Sequence, residues 1–113
     1  MEGKTNTTVP FFYCVGITEI TRDNVGKLFD FEDDSIKPEA IHAGWQTGES
    51  TEITCLAFNL WNGFMQEGRE EMLGPYELFN SRFALYYMEG VKLRHPEQFR
   101  TEPKRGQEKV WYR

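Results

Sequence analysis

Between Ser50 and Phe64 the apolar residues Ile53, Leu56, Ala57, Leu60, Trp61 and Phe64 recur at i, i+3, i+4, i+7, i+8 and i+11. A strand cannot place that series on one face, because its side chains alternate with a period of two; a helix gathers all six into one stripe. The segment is therefore predicted as an amphipathic helix. Thr47 or Ser50 can cap it, Glu49 and Glu52 suit the positive end of its dipole, and Asn62-Gly63 marks its last turn. A stripe of this kind has to be covered by another element.

The most obvious cover lies downstream. Gly74-Pro75 opens a second helix with proline pre-set at its first position and Glu77 in its first turn, and His95-Pro96 closes it. Tyr76, Phe79, Phe83, Tyr86, Tyr87 and Val91 line one broad face, while Leu78, Leu85 and Met88 lie toward the other, which implies burial on more than one side. Upstream, Thr21 reads as an N-cap, with Val25, Leu28 and Phe29 on one face and Ile20 and Val25 at the spacing of a hydrophobic staple. "FFYCVGI", residues 11–17, fits a buried strand or two turns of a buried helix, and a helix agrees with its surroundings. The acidic stretch 30–37 reads as a loop, 38–42 as one helical turn, and 66–74 as a connector.

The expected fold is all-α. Two long antiparallel helices, about 50–63 and 75–95, carry shorter N-terminal helices, about 11–17 and 21–29, packed on them. Residues 1–9 are polar and aperiodic and are expected to be disordered; 10–99 form a single helical domain, and 100–113 a basic, flexible tail. A chain of 113 residues buries roughly two thirds of its unfolded surface and needs no staple.

Charge is divided along the chain. Residues 1–91 hold 6 Lys and Arg against 15 Asp and Glu, a balance of −9, whereas 92–113 hold 7 against 3, a balance of +4. An acidic body disfavours nucleic-acid binding by the main fold and leaves only the tail, with Trp111 and Tyr112 for stacking, as a candidate for it. Cys14 and Cys55 form neither a disulfide framework nor a C-x-x-C pair, and no zinc spacing is present. The acidic run from Asp30 fails as an EF-hand loop, since Ser35 and Ile41 stand where glycine and glutamate are required. There is no Gly-rich phosphate loop and no nucleophile-base order, so the reading is a non-enzymatic protein with no cofactor and no metal. The start lacks the apolar core of a signal peptide and no run is long enough to span a membrane, which places the protein in the cytoplasm.

The pieces "GWQT", "AFNLWNG" and "PYELF" to "LRHPE" resemble a small domain-of-unknown-function family carried by Gram-positive bacteria, often on mobile elements. The resemblance covers residues 11–98 and implies a helical fold with no established activity. The family is expected to carry a longer helical segment before the position of Phe11, which this chain lacks or replaces with ten polar residues, so its N-terminal packing is expected to depart from the family's.

Two functions from different classes follow. The first is an interaction or accessory protein that meets a second copy or another protein through Leu78, Leu85 and Met88, because an over-wide apolar face on a small domain marks a contact surface. The alternative is a small-molecule or peptide module with a pocket between the "WQT" loop and the helix from Pro75, formed by Trp45, Gln46, Asn59, Asn62 and Tyr76. The competing account of those five is structural: Gln46 and the asparagines tie loops to backbone while Trp45 plugs the core. Nucleophilic chemistry would need Cys55 or Cys14 with His42 or His95, and nothing local supports it.

Overall fold

The structure, a computed structural model, describes residues 2–99, with side chains from Thr7 onward. Helix dominates, joined by one two-stranded hairpin. The expected tail, 100–113, lies outside the described residues.

Helix α4, Gly48–Asn62, is the centre of the fold and forms where its periodicity placed it. Thr47 and Ser50 make a reciprocal capping box: the Ser50 amide donates to Thr47 Oγ1 at 3.0 Å and the Thr47 amide to Ser50 Oγ at 2.7 Å. Gly63 ends the helix in the left-handed region, φ 83°, where a side chain would be strained. Ile53, Ala57 and Phe58 are fully buried, and Thr51 and Cys55 on the more polar side are buried as well. α4 is thus covered nearly all round.

Its principal cover is the N-terminal helix. α1 spans Glu2–Val15 and packs against α4 more extensively than any other pair of elements does, then against the C-terminal helix. The stretch 1–9 was expected to be disordered and the first helix to begin near 11. Instead Thr7, Pro10, Phe11, Cys14 and Val15 are all buried, a helical series whose first members a polar residue and a proline disguise. Phe11 holds the aromatic centre, with ring centroids 5.1 Å from Phe29, 5.7 Å from Trp61 and 6.3 Å from Phe58. Each fully buried ring contributes about 1.5–3 kcal/mol by burial.

The expected helix 21–29 is broken into shorter pieces. Thr18, not Thr21, is the cap of α2, Glu19–Asp23. Thr21 is fully buried, and its hydroxyl donates to the Val15 carbonyl at 2.6 Å, fastening α2 to the end of α1. Asn24 turns its amide back to the Ile20 carbonyl at 2.8 Å, closing α2 before the short α3, Val25–Leu28. Phe29–Asp30 (β1) then pairs antiparallel with Ser35–Ile36 (β2), Phe29 opposite Ile36. Apart from this small hairpin the regular elements of the described residues are helical, consistent with the expected all-α class. The hairpin's acidic turn is made by Asp30, whose Oδ1 accepts the amides of Glu32 at 2.9 Å and Asp33 at 3.1 Å. A 3₁₀ turn, Pro38–His42, leads to α4.

The expected long helix 75–95 is two helices. α5, Pro75–Phe79, stops at Asn80, and α6 runs Ala84–Arg94. The cause is local competition for the backbone: Asn80 Nδ2 donates to the Tyr76 carbonyl at 2.8 Å and Ser81 Oγ accepts the Phe83 amide at 3.0 Å. α4 is therefore not paired with one long helix running from Pro75 to His95. It is wrapped by α1 and α6, which also pack on each other.

Candidate functional site

The five residues expected to share a pocket are not assembled into one. Gln46 lies at the start of α4, where Nε2 donates to the Ala40 carbonyl at 3.0 Å and to Thr54 Oγ1 at 3.3 Å, while Oε1 accepts the Ser50 hydroxyl. Asn59 and Asn62 are at the other end, roughly 18 Å along the axis from Ser50 for the farther one. Asn59 Nδ2 donates to the Phe64 carbonyl at 3.1 Å and Asn62 Oδ1 accepts the Phe64 amide at 3.0 Å, so both fold the chain after Gly63. Trp45 packs partly buried against the core, with its indole nitrogen buried and unpaired. Tyr76 stands on the surface, 78% exposed.

A polar groove of about 320 Å³ does open between the start of α4 and the segment from Pro75, but with a different lining: Gly48, Glu49, Glu52, Glu77, Ser81 and Arg82 among others. Breaking the helix at Asn80–Phe83 is what brings Arg82 to Glu49, where the guanidinium donates through Nε at 2.9 Å and Nη2 at 3.1 Å. That bond holds the Glu49 carboxyl below its ordinary range. Glu52, one turn on, accepts the Tyr87 hydroxyl at 2.9 Å. Burial raises the Glu52 pKa, against the lowering effect of the Tyr87 bond, and the charges of Glu77 and Glu49 add to the rise. Burial likewise raises the Tyr87 phenol, whose ring is almost wholly enclosed. The groove thus holds one ion pair and one carboxylate made reluctant to ionise, each already engaged with a protein partner. Nothing in the periodicity marked these residues, since Glu49 and Arg82 are 33 positions apart and Glu52 and Tyr87 are 35.

The second surface is apolar. Leu85 is 85% exposed, and Phe79 and Tyr86 are more than half exposed with Tyr76 nearby in sequence. Of the three residues expected at an interface, Leu78 and Met88 come together in a cleft of about 160 Å³ that also includes Leu73, Phe79, Val91 and Phe99. Leu78 packs partly against the core, whereas Leu85 projects into solvent outside the cleft.

The thiols are poorly placed for chemistry. Burial pushes Cys14 up to about 12 and also raises Cys55, an effect the nearby Arg69 only partly offsets. His42 ends the 3₁₀ turn and His95 caps α6, both exposed. Among the described residues no group of three His, Cys, Asp or Glu side chains converges as metal ligands. Also among them, no helix is long and apolar enough to cross a membrane.

These features define a small helical domain built around one buried helix, with an internally paired polar groove and an exposed apolar flank. The chain belongs to the DUF6075 family, a family of unknown function, which it matches over residues 4–107. Neither the curated proteins nor the solved structures give a significant match.

Proposed function

We propose that this chain is a small non-enzymatic interaction module whose contact face is formed by α5 and α6. The observation that carries the reading is Leu85: it is 85% exposed, beside half-exposed Tyr86, on a helix that is apolar on several sides. Water contact with so much apolar surface is unfavourable by about 25 cal/mol per Å², and covering it favours association. A second copy is the simplest partner, because a two-fold contact lets the same patch serve both subunits. Support for binding over catalysis comes from the polar groove, where the Glu49 and Glu52 carboxylates are taken by Arg82 and Tyr87, and from thiols held protonated by burial. The Gram-positive and mobile-element setting, which rests on the sequence resemblance, is part of this proposal, as is a cytoplasmic location.

Light scattering of the full chain over a range of concentrations tests it. The expected result is a mass rising above the 13.3 kDa of one chain, with Leu85→Glu held at the monomer mass and keeping the same helical circular dichroism. A wild-type chain that stays monomeric at high concentration, or a Leu85→Glu variant that associates equally well, overturns self-association through this face.

A further inference from the structure

On another flank of α6 an open groove of about 400 Å³ separates the end of α1 from the start of α6, lined by Phe12, Tyr13, Gly16, Ile17, Phe83 and Tyr86. Four of the six are aromatic, two from each wall, and Gly16 offers no side chain to fill the space. The rings are braced in place. Phe12 stands edge-on to Phe11 at 4.8 Å and to Phe29 at 5.4 Å, and stacks on Phe31 at 5.9 Å, while Phe83 and Tyr86 meet at 6.2 Å and 61°. Aromatic faces carry negative potential.

The surrounding charge has the same sign. Exposed Glu89 follows Tyr86 by three positions on α6, close enough that its carboxylate, after burial, raises the Tyr13 phenol pKa. Glu32 and Asp33 follow Phe31 in the exposed hairpin turn. One of the rings already carries a cation on a face: Arg82 Cζ lies 4.6 Å from the Phe83 centroid. Its charge is matched by the two-point bond to Glu49, which limits its repulsion of a second cation.

We propose that this groove binds an organic cation of the trimethylammonium type, held over the Tyr13, Phe83 and Tyr86 rings with Glu89 at its rim. The choice of a methylated ammonium follows from the walls. A primary ammonium or a guanidinium would give up hydrogen bonds to water that Phe12, Ile17 and Phe83 cannot replace, whereas a quaternary nitrogen has no N–H to satisfy. The groove shares Tyr86 with the contact face built on Leu85, but Phe12, Tyr13 and Phe83 are not part of that face.

The experiment is a calorimetric and proton NMR titration of the full chain with choline and with its neutral tert-butyl isostere, in which carbon replaces the ammonium nitrogen. Choline is expected to bind weakly but saturably, with its N-methyl signal moved upfield by the rings, and the isostere at least about threefold more weakly. Tyr86→Leu, which keeps an apolar side chain at a half-exposed position, should reduce both the affinity and the upfield shift. Glu89→Gln, on the surface, should weaken choline and leave the isostere unchanged. Equal binding of the isostere would mean a plain apolar groove and overturn the proposal. So would choline binding that survives both substitutions, or no saturable binding at about 100 mM choline.

Discussion

Gly90 lies where α1, α4 and α6 meet, and its replacement by alanine offers a measurement of how closely the three helices are packed. A Cβ built there falls 2.8 Å from Cys14 Sγ, 3.5 Å from Leu60 Cδ1 and 3.7 Å from Tyr13 Cδ2. Ordinary contact between such atoms begins near 3.5 Å, so the new methyl overlaps the sulfur by about 0.7 Å. It cannot move away, because Leu60 and Tyr13 already touch it on other sides. Cys14 is fully buried and has a single side-chain torsion, which leaves the sulfur little room to turn aside. Overpacking of this order costs about 1–3 kcal/mol, while alanine in place of glycine inside a helix returns about 1 kcal/mol. The net expectation for Gly90→Ala is a loss of about 0–2 kcal/mol, too broad to be decisive alone. The cycle with Cys14→Ala is decisive. Without the sulfur the clash disappears and the helix gain remains, so Gly90→Ala should stabilise the Cys14→Ala protein by about 1 kcal/mol. The coupling between the two positions is then about 1–3 kcal/mol, read from urea midpoints of the four proteins with unchanged slopes. If Gly90→Ala has the same effect in both backgrounds to within about 0.5 kcal/mol, the close approach of α6 to α1 is wrong.

Thr21→Val keeps the shape of a fully buried side chain but leaves the Val15 carbonyl without its donor, at a cost of about 1–3 kcal/mol. Thr18→Ala, which removes a cap bond of 3.4 Å, should cost about 0.5 kcal/mol, and thermal melts that reverse this order would contradict the buried bond from Thr21 to Val15. Glu52 has a folded pKa raised above its unfolded value, so its contribution to stability is fully present below the unfolded pKa and is lost as pH rises through the folded one. Glu52→Gln, which still accepts the Tyr87 hydroxyl, should therefore be more stable than wild type at neutral pH. That advantage should disappear in acid below the ordinary carboxyl value of 4.5, and urea titrations showing an advantage only in acid would contradict the assigned sign.

What the sequence reveals of this fold follows from which interactions leave a periodic trace. α4 is legible because its apolar stripe, its Thr47 and Ser50 caps and its Gly63 stop all agree. The segment from Pro75 carries an equally long run of aromatics, yet the break at Asn80–Phe83 depends on two side chains taking backbone partners, a choice that apolar spacing does not record. α1 is hidden for the opposite reason: the series Thr7, Pro10, Phe11, Cys14, Val15 is helical in burial but not in hydropathy, since its first members are a threonine and a proline. The sites follow the same logic. Asn59 and Asn62 look like pocket residues because side-chain amides on a core helix need partners, and they find them in the Phe64 backbone a few positions away. Glu49 with Arg82 and Glu52 with Tyr87 become neighbours only through the tertiary path that the break in the second helix creates. The aromatic groove also joins residues from opposite ends of the chain, Phe12 and Tyr13 with Phe83 and Tyr86. Local pattern thus identifies the central helix on which α1 and α6 pack. The features that could bind something arise where two covering helices meet beside it, and those positions are set by the misread parts of the chain: where α1 begins and where α5 gives way to α6.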